Sequence, residues 1–236
     1  MFDVNLDAVL TAKASLLADD PRRGPVQSGI AKQVVSAPVQ VGLEGLAGDE
    51  QADRENHGGV DKAVMQYAFD HYPFWREQLG DHPLLQHRGA FGENLTTSGV
   101  TEADVCIGDT VSVGSAVFQI SQGRQPCWKL NLRFEVPGMS RMVQKSLRTG
   151  WYYRVLEPGA IEAGDRVRLL DRVQPVWTVE RALRLMFRTL PGEPSEVRAW
   201  SAELADVPEL SASWRRTLIE RLDKAPLKDA SARLDG

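Results

Sequence analysis

The apolar pattern of this 236-residue chain changes period near Pro175, and that switch constrains the fold more than any other feature. Before it the sequence reads mainly as short strands and turns. GIAKQVVSAPVQV (29–41) is valine-rich and punctuated by Gly and Pro, and KAVMQYAFD (62–70) alternates like a half-buried strand. TVSVGSAVFQISQ (110–122) reads as a hairpin joined at Gly114-Ser115 and entered through the IGD turn at 107–109. WYYRVLEPGAIEAGDRVRLL (151–170) continues with strands around Pro158-Gly159 and Gly164-Asp165. Two helical segments interrupt, HYPFWREQLG (71–80) and MSRMVQKSLRTG (139–150), each ending in glycine.

After Pro175 the spacing is helical. VWTVERALRLMFRTL (176–190) places Val179, Leu183, Met186 and Phe187 on one face. A second helix is expected from about Ser195 as N-cap, and a third over 209–224. Many short strands with few helices favour a distorted β-barrel over a βαβ sheet. The expected organisation is therefore mainly β with helices. A barrel domain covers 1–174, with its core about 25–172, and a small three-helix domain covers 175–236.

Charge and composition exclude several classes. A formal net charge of -4 gives no electrostatic basis for nucleic acid or an anionic membrane as partner. The segment from 175 onward carries ten Lys/Arg and ten Asp/Glu, so the row Arg181, Arg184, Arg188 reads as a solvated helix face. No apolar run approaches the roughly 20 residues of a membrane span. Asp3 and Asp7 stand where a secretion signal would be basic, so no signal peptide is expected. Two cysteines make no disulfide framework, and the expected compartment is the cytoplasm. A homodimer is the commonest symmetric assembly for such a chain.

One of those cysteines sits in ISQGRQPCWKLNLRF (120–134), at a bend and among cations. A helix starting near Pro126 would put Cys127 in its first turn, where free N–H groups and the helix dipole favour an anion. Arg124 adds a fixed positive charge. From Arg124 to Arg148 there are six Lys/Arg against Glu135 alone, enough to hold an anionic ligand. These features favour a thiolate, which binds metals and attacks electrophiles. Cys106, in ADVCIGD, has apolar neighbours and reads as core.

Two more stretches carry polar chemistry. In ENHGGVDKAVMQY (55–67), Gly58-Gly59 permits close backbone approach to a ligand, with His57, Asp61 and Lys62 crowding the turn as in a phosphate cradle. In GAFGENLTTSGV (89–100), Glu93 and Asn94 follow two glycines at the mouth of a strand, where an amide could meet a polar heterocycle. His71, in HYPFW, reads as a packed or surface histidine.

In chain order, HGGVDK, DHYPFW, FGENLTTSGV, IGD and Q-x-R-x-PC resemble the MOSC-domain family, related to the C-terminal domain of molybdenum cofactor sulfurases. The likeness is greatest to the bacterial hydroxylaminopurine-resistance branch, which carries a C-terminal three-helix domain. The resemblance implies a β-barrel that binds the molybdenum–molybdopterin cofactor, with Cys127 supplying a thiolate to molybdenum. It also implies reductive detoxification of N-hydroxylated bases and related N-oxygenated compounds. Lys62 and Arg124 would hold the pterin phosphate and pyran face, His57 and Asn94 would hydrogen-bond the cofactor, and Glu93 would lie near the open metal position. The family pattern has proline after the glutamine; here Gly123 stands there, expected to loosen the bend.

With no nicotinamide or flavin fingerprint, such a reductase needs electrons from a separate protein. Two other readings stay open on residue chemistry. Cys127 could carry a persulfide as a sulfur transferase. The chain could also be a non-catalytic cofactor storage or delivery module whose helical tail docks a partner through Trp200 or Trp214, unless those tryptophans form the tail's own core.

Overall fold

The computed structural model describes residues 2–53, 58–223 and 231–234. Seven strands close into a mixed barrel: β1 (Asp3–Thr11), β7 (Val64–Ala68), β8 (Leu95–Thr97), β9 (Thr110–Val113), β10 (Ala116–Gly123), β11 (Trp151–Glu157) and β13 (Arg166–Asp171). Around the ring the order is β13-β9-β10-β11-β7-β8-β1, and β1 pairs back onto β13. Among the described residues only β7 and β8 run parallel. An extra strand, β4 (Gln33–Val35), lies on β1. Two small sheets sit outside the ring: the hairpin β2 (Ser15–Asp20) with β3 (Gly24–Ser28), and β5 (Val39–Gly42) between β6 (Gly45–Leu46) and β12 (Gly159–Ile161).

Closure depends on a strand outside the span 25–172 read as the barrel core. β1 pairs with β4, β8 and β13 and buries Leu6, Ala8, Val9 and Leu10. Its acids obscured it. Asp3 points to solvent, where Arg166 of β13 meets it at 2.7 Å. The segment 29–41 is broken, contributing β4 to one sheet and β5 to another.

β7 is buried at every position rather than half-buried. One face belongs to the barrel core. The other meets an aromatic cluster of Tyr67, Tyr72, Trp75, Phe91 and Phe134, in which Tyr67 stacks on Phe91 at 4.3 Å. The cluster sits beneath helices α1 (Tyr72–Leu79), α2 (Lys129–Phe134) and α3 (Met139–Ser146). Gln66 can face the barrel interior because its amide donates to Thr97 Oγ1 at 2.7 Å and accepts from the Tyr153 hydroxyl at 2.9 Å.

The C-terminal helices are α4 (Val179–Phe187), α5 (Pro194–Asp206) and α6 (Ala212–Asp223), followed by one further turn, α7 (Ser231–Leu234). Thr178 caps α4 by accepting from Arg181 N. The cap of α5 is Glu193, in a reciprocal box with Glu196, because Pro194 takes the first helical position; Ser195 lies inside the helix. Leu183, Met186, Leu204, Trp214 and Leu218 belong to the same continuous core as the barrel strands, so the helices share one interior with the barrel. Trp214 is fully buried and Trp200 packs at the edge.

Replacing Gln66 with leucine should leave the Tyr153 hydroxyl and Thr97 Oγ1 without their shared partner. A loss of about 1–3 kcal/mol per orphaned group is expected in urea unfolding. An unchanged midpoint would contradict the role given to this amide.

Candidate functional site

A cleft opens where the β3 end, the loop around Asp49, the start of β7, the Gly89–Asn94 turn and the β10–α2 loop meet. Lys32, Lys62, Arg124 and Lys129 bring cationic side chains to it, against Asp49, Glu50 and Asp53. Backbone at Gly29 and Gly92 and the side chains of Met65, Phe91 and Tyr152 complete the wall.

Arg124 is 6% exposed, and its Nη1 has no hydrogen-bond partner among the described residues. Its backbone is fixed, with Arg124 N donating to Gly150 O at 2.9 Å. Gly150 is held in turn by Glu102, whose Oε1 accepts from Thr149 N at 2.8 Å and Gly150 N at 2.6 Å. The other Glu102 oxygen pairs with His71 at 2.6 Å. Beside Arg124, burial pushes the Tyr152 phenol above its ordinary pKa and the guanidinium partly offsets that.

Lys32 escaped the sequence reading. No local pattern marks it, since its partner Asp49 lies 17 residues away. Burial pulls the Lys32 ammonium below its usual pKa and Asp49 counters. Asp49 Oδ1 also accepts from Ala12 N at 2.9 Å, and its Oδ2 accepts from Asn94 Nδ2 at 2.9 Å. Asn94 lines the cleft, but its amide is engaged within the fold. Oδ1 accepts from Met65 N at 3.1 Å, and Nδ2 also donates to Leu10 O at 3.2 Å. It therefore braces β1, β7 and the Asp49 loop at the cleft floor.

Glu93 has no oxygen to offer a metal. It is fully buried; Oε1 accepts from the Tyr72 hydroxyl and from Gly89 N, both at 2.8 Å, and Oε2 accepts from Phe91 N at 3.0 Å. The carboxylate closes the turn. Gly92 has φ +80, and a Cβ there would lie 2.6 Å from Ile30 Cγ1, so the turn requires glycine.

Lys62 ends a short 3-10 turn, Val60–Lys62, that follows Gly59 at φ 88. Burial lowers its pKa, Asp53 and Asp61 counter, and Arg216 adds to the lowering. Asp61 has a structural use, meeting Arg154 at 2.7 Å and accepting from Ala212 N at 2.9 Å. His57 lies outside the described residues.

Cys127 is half-buried and is not itself a lining residue of the cleft. It lies near one that is, Tyr152, whose phenol pKa the thiol helps to raise. The helix begins later than the Pro126 start expected from sequence: α2 runs from Lys129 with Trp128 as its N-cap, so Cys127 precedes the cap. Cys127 O accepts from Leu130 N at 3.0 Å, and the Trp128 N–H donates to Arg233 O at 2.8 Å. Positive charge beside the thiol comes from side chains, including Arg233, rather than from a helix end. Of the basic stretch 124–148, Arg124 and Lys129 reach the cleft; Arg148 instead covers Phe74 at 4.0 Å. Gly123 has a packing role rather than a loosening one, because a Cβ there would lie 2.7 Å from Leu183 of α4. Cys106 is core, its thiol pushed up to about 11 by burial and Asp109.

Comparison with known proteins agrees with this layout. Residues 53–168 match the MOSC domain, and residues 201–225 match the YiiM-like, 3-alpha helix domain. The chain is 41% identical over 199 residues to the uncharacterized protein YflK of Bacillus subtilis, covering 84% of this chain and 86% of that one. It is 36% identical over 209 residues to the protein YiiM of Escherichia coli, covering 89% and 91%. The crystal structure of the Escherichia coli YiiM superposes with a TM-score of 0.78 over 98% of this chain and 99% of that one, at 29% identity. A Gibberella moniliformis protein named reductase is 39% identical over 179 residues, which are 75% of this chain and 32% of that protein.

Glu93→Gln should remove one charge and point an amide N–H₂ at a backbone N–H. Each charge-assisted bond so disturbed contributes about 1.5–3 kcal/mol, so a large fall in melting temperature is expected. A variant as stable as the parent would show that the turn does not need its carboxylate.

Proposed function

The chain belongs to the MOSC-domain family and carries the YiiM-like three-helix domain, and on that footing we propose that it is a molybdenum cofactor-dependent reductase of N-hydroxylated bases and related N-oxygenated compounds. The observation that carries the reading is the buried Arg124 guanidinium, with Nη1 unpaired among the described residues in a cleft shared with three lysines. Burying a donor without an acceptor costs about 1–3 kcal/mol, and a bound anion restores that bond.

The residues present fit the cofactor. Its phosphate and pterin oxygens are acceptors, which Arg124 meets as a planar fork and Lys32, Lys62 and Lys129 meet as point charges. The polar edge of a pterin suits the backbone that lines the cleft at Gly29 and Gly92, with Phe91 and Met65 as apolar neighbours. Cys127 offers a soft sulfur ligand suited to molybdenum, beside Arg233. Asn94 and Glu93 serve by holding the cleft walls, and His57 remains proposed from the resemblance.

When bound, the molybdenum centre supplies the two-electron chemistry. Cleavage of an N–O bond takes up two electrons and two protons and releases the amine and water. The electrons come from a separate donor protein. The name reductase borne by the fungal relative supports a redox role, although this chain matches about a third of that protein.

The test is reduction of an N-hydroxylated purine by the cofactor-loaded protein with a chemical electron donor, followed by amine formation. Wild type should turn over. Cys127→Ser should lose activity by about a hundredfold or more, since it removes the thiolate. Arg124→Gln should lower cofactor content about tenfold or more, consistent with loss of a charge-assisted bond. Full activity in Cys127→Ser would defeat the assignment. A removable mass gain of one sulfur on Cys127, with no reductase activity, would favour a sulfur carrier.

A further inference from the structure

Between Arg124 and Cys127 stand only Gln125 and Pro126, and both are held from the C-terminal part of the chain. The Trp214 indole N–H of α6 donates to Gln125 Oε1 at 3.2 Å. The Arg233 guanidinium of α7 reaches two acceptors at once, Pro126 O and Gln144 Oε1. The same turn holds the far side of the cysteine, because Arg233 O accepts the Trp128 N–H at 2.8 Å. Leu234 is 2% exposed, and its carbonyl accepts from Asn131 Nδ2 at 3.0 Å and Ser140 Oγ at 2.6 Å, which seats the turn on α2 and α3.

The grip continues upstream. Ser213 Oγ donates to Gln122 Oε1 at 3.0 Å, and Ser211 N donates to Ser121 O at 2.9 Å. Leu183 of α4 occupies the space that a Cβ on Gly123 would need. Every residue from Ser121 to Trp128 except Arg124 and Cys127 thus meets the C-terminal segment in one of these contacts. Arg124 and Cys127 are the two that the proposed function assigns to the cofactor.

We infer that Trp214 and Arg233 are positioning residues, which hold the Gln125-Pro126 link so that the Arg124 guanidinium and the Cys127 thiol are presented together to one ligand. The C-terminal helices are therefore an integral part of the site. This rests on the assignment of Arg124 and Cys127 to the cofactor. The physical basis is local: a loop held at both ends opens less often than one held at one end, and each bond removed raises the open population. Arginine is required at 233 because one planar fork spans two acceptors, which a lysine ammonium on a flexible stem does not do with the same geometry.

The experiment uses the full-length chain without cofactor, with Trp214→Phe and Arg233→Lys as variants. Phenylalanine keeps an aromatic ring in the core and loses the indole N–H. Lysine keeps the charge beside Cys127 and loses the fork. Iodoacetamide labelling of Cys127 at fixed pH is followed by peptide mass spectrometry, with buried Cys106 as internal control. Each variant should label Cys127 about fivefold faster or more, consistent with loss of one or two hydrogen bonds, while Cys106 stays at its wild-type rate. After cofactor loading, both should retain less molybdenum per chain than wild type. Wild-type labelling of Cys127 in either variant would remove that residue from the pair and overturn the two-point grip. Equal acceleration at Cys106 would mean general loosening and would also overturn it. If wild type takes up no molybdenum, the proposed function fails, while the labelling still decides whether the loop is held.

Discussion

The burial of the Arg124 guanidinium is the constraint around which this end of the molecule is organised. A cation at 6% exposure is costly unless its donors find acceptors, and one of its nitrogens finds none among the described residues. The surrounding structure keeps it there. Its backbone is fixed to Gly150, Gly150 to Glu102, and Glu102 to His71 at the start of α1. On the other side, Leu183 of α4 packs against Gly123. Barrel, first helix and C-terminal helices therefore all contribute to placing one side chain. A site built this way is preorganised for an acceptor-rich ligand, since the ordering cost is met in folding rather than in binding.

The cleft floor follows the same logic with opposite charges. Asp49 is shared by Lys32, Ala12 and Asn94, so one carboxylate joins β1, the β3–β4 connection and the Gly89–Asn94 turn. Glu93, next in sequence to Asn94, closes its turn from within the protein. The two neighbours have separate tasks. Asn94 holds segments together at the cleft, and Glu93 shapes the backbone behind it. Neither spends its polar atoms on the open cleft, where Arg124 Nη1 is a buried donor with no partner among the described residues.

Much of this was legible in the sequence, for identifiable reasons. The β9–β10 hairpin carries strict alternation, with Val111, Val113, Phe118 and Ile120 inward, and a glycine turn between, so it was read with nearly its observed bounds. The first C-terminal helix follows from its apolar spacing and the second from the breakers that open it, and local charge marks Cys127 and Arg124 as candidates. The misses share a cause, which is dependence on distant partners. β1 looks polar because Asp3 meets Arg166 across the barrel seam. Lys32 has meaning only beside Asp49, and His71, which reads as a packed or surface histidine, is packed and has Glu102 as its partner. The turn at Arg233 had no local signature at all, yet it touches the residues on either side of Cys127. The same turn also takes the N–H of Trp128, the N-cap residue of α2, through Arg233 O.

The central claim is that the cationic cleft holds a molybdenum–pterin group through the Cys127 thiolate. Elemental analysis for molybdenum together with pterin fluorescence, on protein from a host that makes the cofactor, tests it most directly alongside Cys127→Ala. Near-stoichiometric molybdenum and pterin in wild type, with molybdenum lost in the variant, is the result expected. Neither metal nor pterin in wild type, under conditions where another molybdenum protein loads fully, would contradict it.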